Sequence, residues 1–203
     1  MSRVRTRPTR DDTREKLFEA SARVFEEQGI GGASIETIAA AAGFTRGAFY
    51  SNFKSKDELI IAMLEDHVEQ SILRIRDLLE RHKNLADFIE ALKTMGRSQQ
   101  DPLGRSPLLH MEMILFVARA EKRRPELAKR LRARRKLIAE IVETTSQNSG
   151  RARPLNPAWA GAILLALEDG FRLHRLIDPE TTPADSFLRA IGDLQKAIGV
   201  SST

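Results

Sequence analysis

Between Thr45 and Lys56 the chain gathers side chains suited to a polyanionic, base-edged partner: Thr45, Arg46, Tyr50, Ser51, Asn52, Lys54 and Lys56. Arg46 carries a planar fork of N–H donors that matches guanine O6 and N7, or a phosphate. Tyr50, Ser51, Lys54 and Lys56 suit phosphate oxygens. Gly47 and Ala48, small and set among them, allow close backbone approach. Ser34 and Thr37 add two hydroxyls upstream. Such a set can read double-stranded DNA only if a short, rigid element presents it from an apolar backing.

The flanking residues supply that element. Ser34 is a good N-cap, and Ile35, Ile38, Ala39 and Ala42 then recur at helical spacing. Gly43 follows the apolar run, where a helix end favours a residue that adopts positive φ without steric cost. Phe44 is an apolar anchor, and Thr45 caps a second helix from Arg46. Phe49 and Phe53, four apart, share one face and pack inward. Two short helices around a Gly-containing turn form a helix-turn-helix, whose second helix enters the major groove. A solvated helical corner is the plainer alternative. The order of cap, turn, exposed Arg and Tyr, and buried Phe pair argues for the helix-turn-helix. Upstream, Asp12 and Glu15 form a capping box, and Leu17, Ser21, Val24, Phe25 and Gln28 trace the inward stripe of a buttressing helix that ends at Gly29.

From Leu17 through Leu59 the chain resembles the DNA-binding domain of TetR-family transcriptional regulators. The shared elements are Phe25 and Gly29, Ser34 with Ile38 and Ala39, the run Ala42 to Gly47, Tyr50 to Phe53, and Lys56 with Leu59. Many members have Thr where Ser34 stands and His where Asn52 stands; both replacements still hydrogen-bond. The resemblance implies a DNA-binding surface made of Ser34, Thr37, Thr45, Arg46, Gly47, Ala48, Tyr50, Ser51, Asn52, Lys54 and Lys56.

Composition bounds the rest. Lys and Arg number 33 against 28 Asp and Glu, a formal net charge of +5 that suits a polyanion without specifying one. The chain has no cysteine, so disulfides and thiol redox sensing are excluded. Its 4 histidines, at 67, 82, 110 and 174, lack metal-ligand spacing. No nucleophile–base pairing or phosphate loop is visible, so no catalytic residue, metal or cofactor is expected and the chain reads as a non-enzyme. No signal peptide is visible, and the longest apolar stretch, Trp159 to Leu167, is too short to cross a bilayer. A cytoplasmic protein without membrane contact is expected.

Nothing alternates with period two over a strand length, so the fold class is all-α, about nine helices. Three parts are expected: a flexible basic arm at 1–10, a three-helix helix-turn-helix domain at 11–56, and a helical regulatory and dimerisation domain at 57–203. The arm, with Arg3, Arg5, Arg7 and Arg10, is either a minor-groove reader or a solvated tail. Ser55 and Glu58 form a second capping box that opens a long helix, continued by Leu59, Met63, Leu73 and Leu78 to about Arg81. Further helices begin at Asn84, at Ser106–Pro107, at Pro125, at Asn156–Pro157 and at Thr182–Pro183, the last ending at Gly199. The segment Arg119 to Lys136 is strongly basic, but Leu127, Leu131 and Leu137–Ile138 give it one buried face and a solvated remainder.

Two apolar sets in the body admit more than one reading. Trp159, Ile163, Ala166, Gly170 and His174 follow one stripe, and Phe187, Ile191, Leu194 and Ile198 another. An internal core is the default for such stripes, but one small body can hardly cover both. The family resemblance implies that these helices form a four-helix bundle with a twin subunit, through Ile163, Leu167, Gly170, Phe171, His174, Phe187, Ile191 and Leu194. A head with one short reading helix also demands two-fold pairing to span a palindromic operator. Phe88, Leu92, Met95, Met111, Met113, Phe116 and Trp159 read most simply as core, in which Met fills gaps. The resemblance implies instead that some line an apolar cavity for a small-molecule effector, with His110, Glu112 or Arg119 as polar anchors. The resulting expectation is a homodimeric, sequence-specific repressor released from its operator by that effector. A non-specific DNA-binding helical protein is the alternative.

Overall fold

Thr9 starts the first helix. Its hydroxyl accepts from the Asp12 N–H at 3.1 Å while the Asp12 carboxylate accepts from the Thr9 N–H at 2.9 Å, a reciprocal capping box. Asp12 is therefore the third residue of the helix and not its cap, and Arg10 belongs to the helix and not to the arm. The computed structural model describes residues 9–82, 85–94, 102–122, 124–148 and 156–197. The arm residues Arg3, Arg5 and Arg7 lie outside that range.

Ten helices occupy the described residues, with no strand among them. In order they are α1 (Arg10–Gly32), α2 (Ile35–Ala41), α3 (Arg46–Tyr50), α4 (Lys56–Arg81), α5 (Leu85–Thr94), α6 (Pro102–Arg105), α7 (Pro107–Arg119), α8 (Arg124–Asn148), α9 (Pro157–Ile177) and α10 (Ser186–Ala197). The all-α expectation holds. The short α6 falls where Asp101–Pro102 read as a break; a four-residue helix is too short to show periodicity, and buried Pro102 and Leu103 hold it in place. The last helix starts at Ser186, three residues after Pro183, because the Ser186 N–H closes a turn on the Pro183 carbonyl first.

The chain divides into two compact units, Met1–His67 with Ser98–Leu127, and Val68–Arg97 with Ala128–Thr203. Packing groups α6, α7 and the first turns of α4 with the helix-turn-helix in the first unit. The first unit has one continuous core. Leu17, Phe18, Val24 and Phe25 of α1 meet Ile38 and Ala39 of α2, Phe49 and Phe53 around α3, Leu59, Ile60 and Met63 of α4, and Leu109, Met113 and Val117 of α7. Each large side chain so buried stabilises by about 1.5–3 kcal/mol. Gln28, expected on the inward stripe, is exposed; Gly29, at φ 70°, breaks the helix right after it.

In the second unit the core includes Phe88, Ile89, Leu137, Ala160 and Leu165. Gly161 lets α8 and α9 touch: a Cβ there would lie 2.6 Å from the Arg135 carbonyl oxygen. Arg134 turns inward, its Nη2 donating to Glu168 Oε2 at 2.8 Å, while Arg172 holds the other oxygen, Oε1, at 2.7 Å. The solvated-face reading therefore holds for Lys129, Arg132, Arg135 and Lys136 but not for Arg134. Leu131, assigned to a buried face by spacing, is exposed, as is Leu73 of α4.

Candidate nucleic-acid interface

Local chemistry builds the helix-turn-helix step by step. Ser34 Oγ accepts from the Thr37 N–H at 3.0 Å and caps α2. At the far end Gly43 takes φ 74°, and the Phe44 N–H reaches back to the Ala39 carbonyl at 2.9 Å while the Gly43 N–H reaches Ala40 at 3.0 Å. This is a Schellman closure, which needs the left-handed backbone glycine provides. Thr45 Oγ1 then accepts from the Ala48 N–H at 3.2 Å and caps α3. Phe49 and Phe53 are buried with ring centroids 5.8 Å apart, and Phe53 stacks on Phe18 at 5.8 Å. The Arg14 guanidinium covers the Phe53 ring at 4.8 Å.

The outer side of α3 holds the expected set. Thr45, Arg46, Gly47, Tyr50, Ser51 and Lys54 are exposed, and Ala48 and Asn52 partly so. A Cβ on Gly47 would meet only Thr45 Oγ1, at an ordinary 3.7 Å, so the helix itself does not require glycine there. Arg46 is ordered by two neighbours. Its Nη1 lies 2.8 Å from Glu36 Oε1, its Nη2 reaches the Tyr50 hydroxyl at 3.4 Å, and its guanidinium sits over the Tyr50 ring at 5.4 Å. The Tyr50 hydroxyl first, and then the Glu36 charge, hold the Arg46 pKa above its usual value.

Other members of the set have inward duties. Ser51 Oγ donates to the Ala48 carbonyl at 2.7 Å, and Asn52 Nδ2 donates to the same carbonyl at 2.9 Å, which closes the end of α3. The hydroxyls of Ser34 and Thr37 lie 2.8 Å apart and bond each other. Lys56 points inward: its Nζ donates to the carbonyls of Ile30 and Ala33 at 2.7 and 2.8 Å. The Glu58 N–H is capped by Ser55 Oγ, but the Glu58 carboxylate takes the Lys54 N–H, one residue before the expected partner. The sequence shows Glu36 as the acid set against Arg46, Lys54 and Lys56 but does not assign its pairing with Arg46, and it does not single out Arg14. Opposite charge across the turn was the available signal for Glu36; nothing local marked Arg14.

The candidate effector residues divide between the units. Met113 is fully buried in the first unit's core, and His110 is buried with its ring 4.4 Å from that of His67. Met111 and Phe116 are half-buried. In the second unit Phe88 is buried and Leu92 half-buried, whereas Trp159 is 68 % exposed, against the expectation of a core or lining residue. Met95 lies outside the described residues. Of the candidate pairing residues, Ile163 and His174 are exposed, and Leu167, Gly170, Phe171, Phe187 and Ile191 are half-buried. The Leu194 side chain lies outside the described residues. The stripe Trp159, Ile163, Ala166 and His174 faces outward along α9, beside Leu173, Leu176 and a 76 % exposed Ile177.

A three-helix head with an outward, cation-bearing second reading helix, in an all-helical chain, defines a helix-turn-helix DNA-binding protein. The chain belongs to the TetR family of bacterial regulatory proteins: residues 17–63 match the family's N-terminal model and residues 83–196 match the tetracyclin repressor-like C-terminal domain. It is therefore a DNA-binding transcriptional regulator. Over 200 residues it is 28 % identical to the HTH-type transcriptional regulator PksA of Bacillus subtilis, covering 94 % of this chain and 91 % of that one. It is 34 % identical over 100 residues to TtgR of Pseudomonas putida, or 49 % of this chain and 40 % of that one. The reduced form of Escherichia coli NemR shares the fold at TM-score 0.70 and 22 % identity, over 90 % of this chain and 97 % of that one. SmeT, the repressor of the Stenotrophomonas maltophilia multidrug efflux pump SmeDEF, shares it at TM-score 0.61 and 20 % identity, over 87 % and 83 %. No helix among the described residues is long and apolar enough to cross a membrane.

Proposed function

We propose that this regulator is a homodimeric cytoplasmic repressor that reads a palindromic operator with α3 and is released by a small, largely apolar effector. The observation that carries the reading is the exposed Thr45–Arg46–Gly47–Tyr50–Ser51 surface on a helix fixed from behind by buried Phe49 and Phe53. Arg46 supplies base contact in the groove, and Ser34, Thr37, Tyr50, Ser51 and Lys54 supply phosphate contact. One α3 spans too few base pairs to select a site in a genome, so two copies must act a helical turn apart. The outward apolar stripe of α9 supports pairing, because an uncovered row of this kind favours a partner surface over water.

The effector acts, on this reading, through α4, which contributes residues to both compact units. Phe88 and Leu92 are the proposed effector contacts on α5. An effector shifts the regulator only if it binds the DNA-competent and released states with different affinity. Selection of bound sequences from a random duplex pool tests the function. Enrichment of an inverted repeat supports it, and uniform binding of all fragments with a steep salt dependence favours the non-specific alternative.

A further inference from the structure

The ion pair between Glu36 and Arg46 has no evident stabilising purpose. Both side chains are more than half exposed, at 55 % and 62 %, where such pairs contribute little to folding. Glu36 nevertheless places a carboxylate on the helix-turn-helix beside the one cation best suited to reading a base. A negative charge there repels phosphates on every duplex alike. Its pairing with Arg46 makes the effect selective.

We propose that Glu36 is a specificity-determining positioning residue: it holds the Arg46 guanidinium for a base edge and withholds it from phosphate. The inference rests on the reading of α3 as the base-reading helix. Glu36 Oε1 occupies one N–H of Nη1 at 2.8 Å, and Tyr50 sets the plane of the group from below at 5.4 Å. A guanidinium has five N–H donors in a rigid fork; with one on Glu36 and one on the Tyr50 hydroxyl, about three stay available for O6 and N7 of a guanine. Arg46 can then contact its base without leaving Glu36. A backbone phosphate taken up by Arg46 would stand beside the Glu36 carboxylate, which repels it, whereas a neutral base edge would not be repelled. Cognate binding uses the paired Arg46, and random binding proceeds without it. The acid thereby widens the gap between the two without touching DNA.

The test uses the full-length dimer, a duplex recovered from the random pool, and a scrambled duplex of equal length. For Glu36→Gln, scrambled DNA is expected to bind about fivefold more tightly, the scale of one removed charge at contact distance. The salt slope on that DNA should steepen by about one counterion as Arg46 joins a phosphate. Affinity for the selected duplex should hold or fall, so discrimination drops. Glu36→Asp, which keeps the charge, should restore most of it. In an Arg46→Ala background the Glu36→Gln effect on discrimination should vanish. Equal tightening on both duplexes, or an undiminished effect without Arg46, would overturn the proposal and leave Glu36 an ordinary surface charge. If the wild-type protein enriches no sequence at all, the base-reading role of α3 fails first, and that result is separable from any behaviour of the variant.

Discussion

Lys56 anchors α4 to the end of α1: its ammonium donates 2.7 Å to the carbonyl oxygen of Ile30. A second bond, to Ala33 at 2.8 Å, ties down the residue just before the cap of α2. The lysine therefore fixes the corner from which the helix-turn-helix departs, bonding two carbonyls at the end of α1, where the last carbonyls of a helix lie beyond its own ladder.

Replacing Lys56 by Met should destabilise the protein by about 1–3 kcal/mol, since charge-assisted bonds are lost and acceptors are left unsatisfied. Denaturant unfolding measures this. DNA affinity should fall on cognate and random duplexes alike, as the corner loosens. A variant that unfolds like wild type but has a shallower salt slope would mean that Lys56 contacts phosphate instead.

Phe49 and Tyr50 are adjacent yet should fail in different assays. Phe49 is fully buried, so Phe49→Ala removes core volume and should cost about 3–5 kcal/mol. Tyr50 is 43 % exposed, and Tyr50→Ala should change stability by no more than about 0.5 kcal/mol while weakening operator binding. Thermal unfolding and a gel shift on the same two variants separate the roles. A large stability loss for Tyr50→Ala would place it with the core.

Asp169 should make stability depend on pH in the direction opposite to most carboxylates. Burial holds its pKa above the usual aspartate value, against the pull of Arg134. The folded state then binds more protons than the unfolded state between the two pKa values, so stability falls as pH rises through that window. The cost is fully present above the folded pKa and absent below the unfolded one. Asp169→Asn should therefore stabilise at pH 7, by about 1 kcal/mol at most, and do nothing near pH 3. Unfolding at both pH values checks the sign; a variant less stable at pH 7 would show that the arginines dominate.

Which parts of this molecule the sequence exposed follows from the range of the forces involved. Ser34, Gly43 and Thr45 act within a few residues of themselves, so cap, turn and cap could be read in order. Phe49 and Phe53 are legible because a spacing of four turns both inward: Phe53 lies past the end of α3, but its N–H still bonds the Phe49 carbonyl at 2.9 Å. Lys56 was not: its partners are 26 and 23 residues away, and nothing in a lysine's own neighbourhood says whether it turns to solvent or to the chain. The same holds for Arg134, one basic residue among many until Glu168 on another helix selects it. The α9 stripe was visible as a period, yet spacing cannot tell a face turned to a core from a face turned outward. Trp159 shows this directly.

Two glycines of α9 should respond oppositely to the same substitution. At Gly161 a Cβ would meet the Arg135 carbonyl oxygen at 2.6 Å and the Ala139 nitrogen at 3.3 Å, both backbone atoms that cannot swing aside. Gly161→Ala must push α8 and α9 apart, and overpacking of this kind costs about 1–3 kcal/mol, more than the gain in helix propensity of about 1 kcal/mol. A Cβ at Gly170 would meet nothing within 4 Å outside its own helix backbone, so Gly170→Ala keeps that propensity gain and should stabilise the isolated subunit by up to about 1 kcal/mol. If α9 is the pairing helix, however, the added methyl group stands where a twin subunit's backbone would approach. Gly170→Ala should then weaken self-association in sedimentation while raising the unfolding midpoint of the monomer at high dilution. Gly161→Ala should lower the midpoint at every concentration. Unchanged sedimentation with a raised midpoint would remove Gly170 from the proposed interface and leave the rest of the α9 stripe to be tested at Ile163.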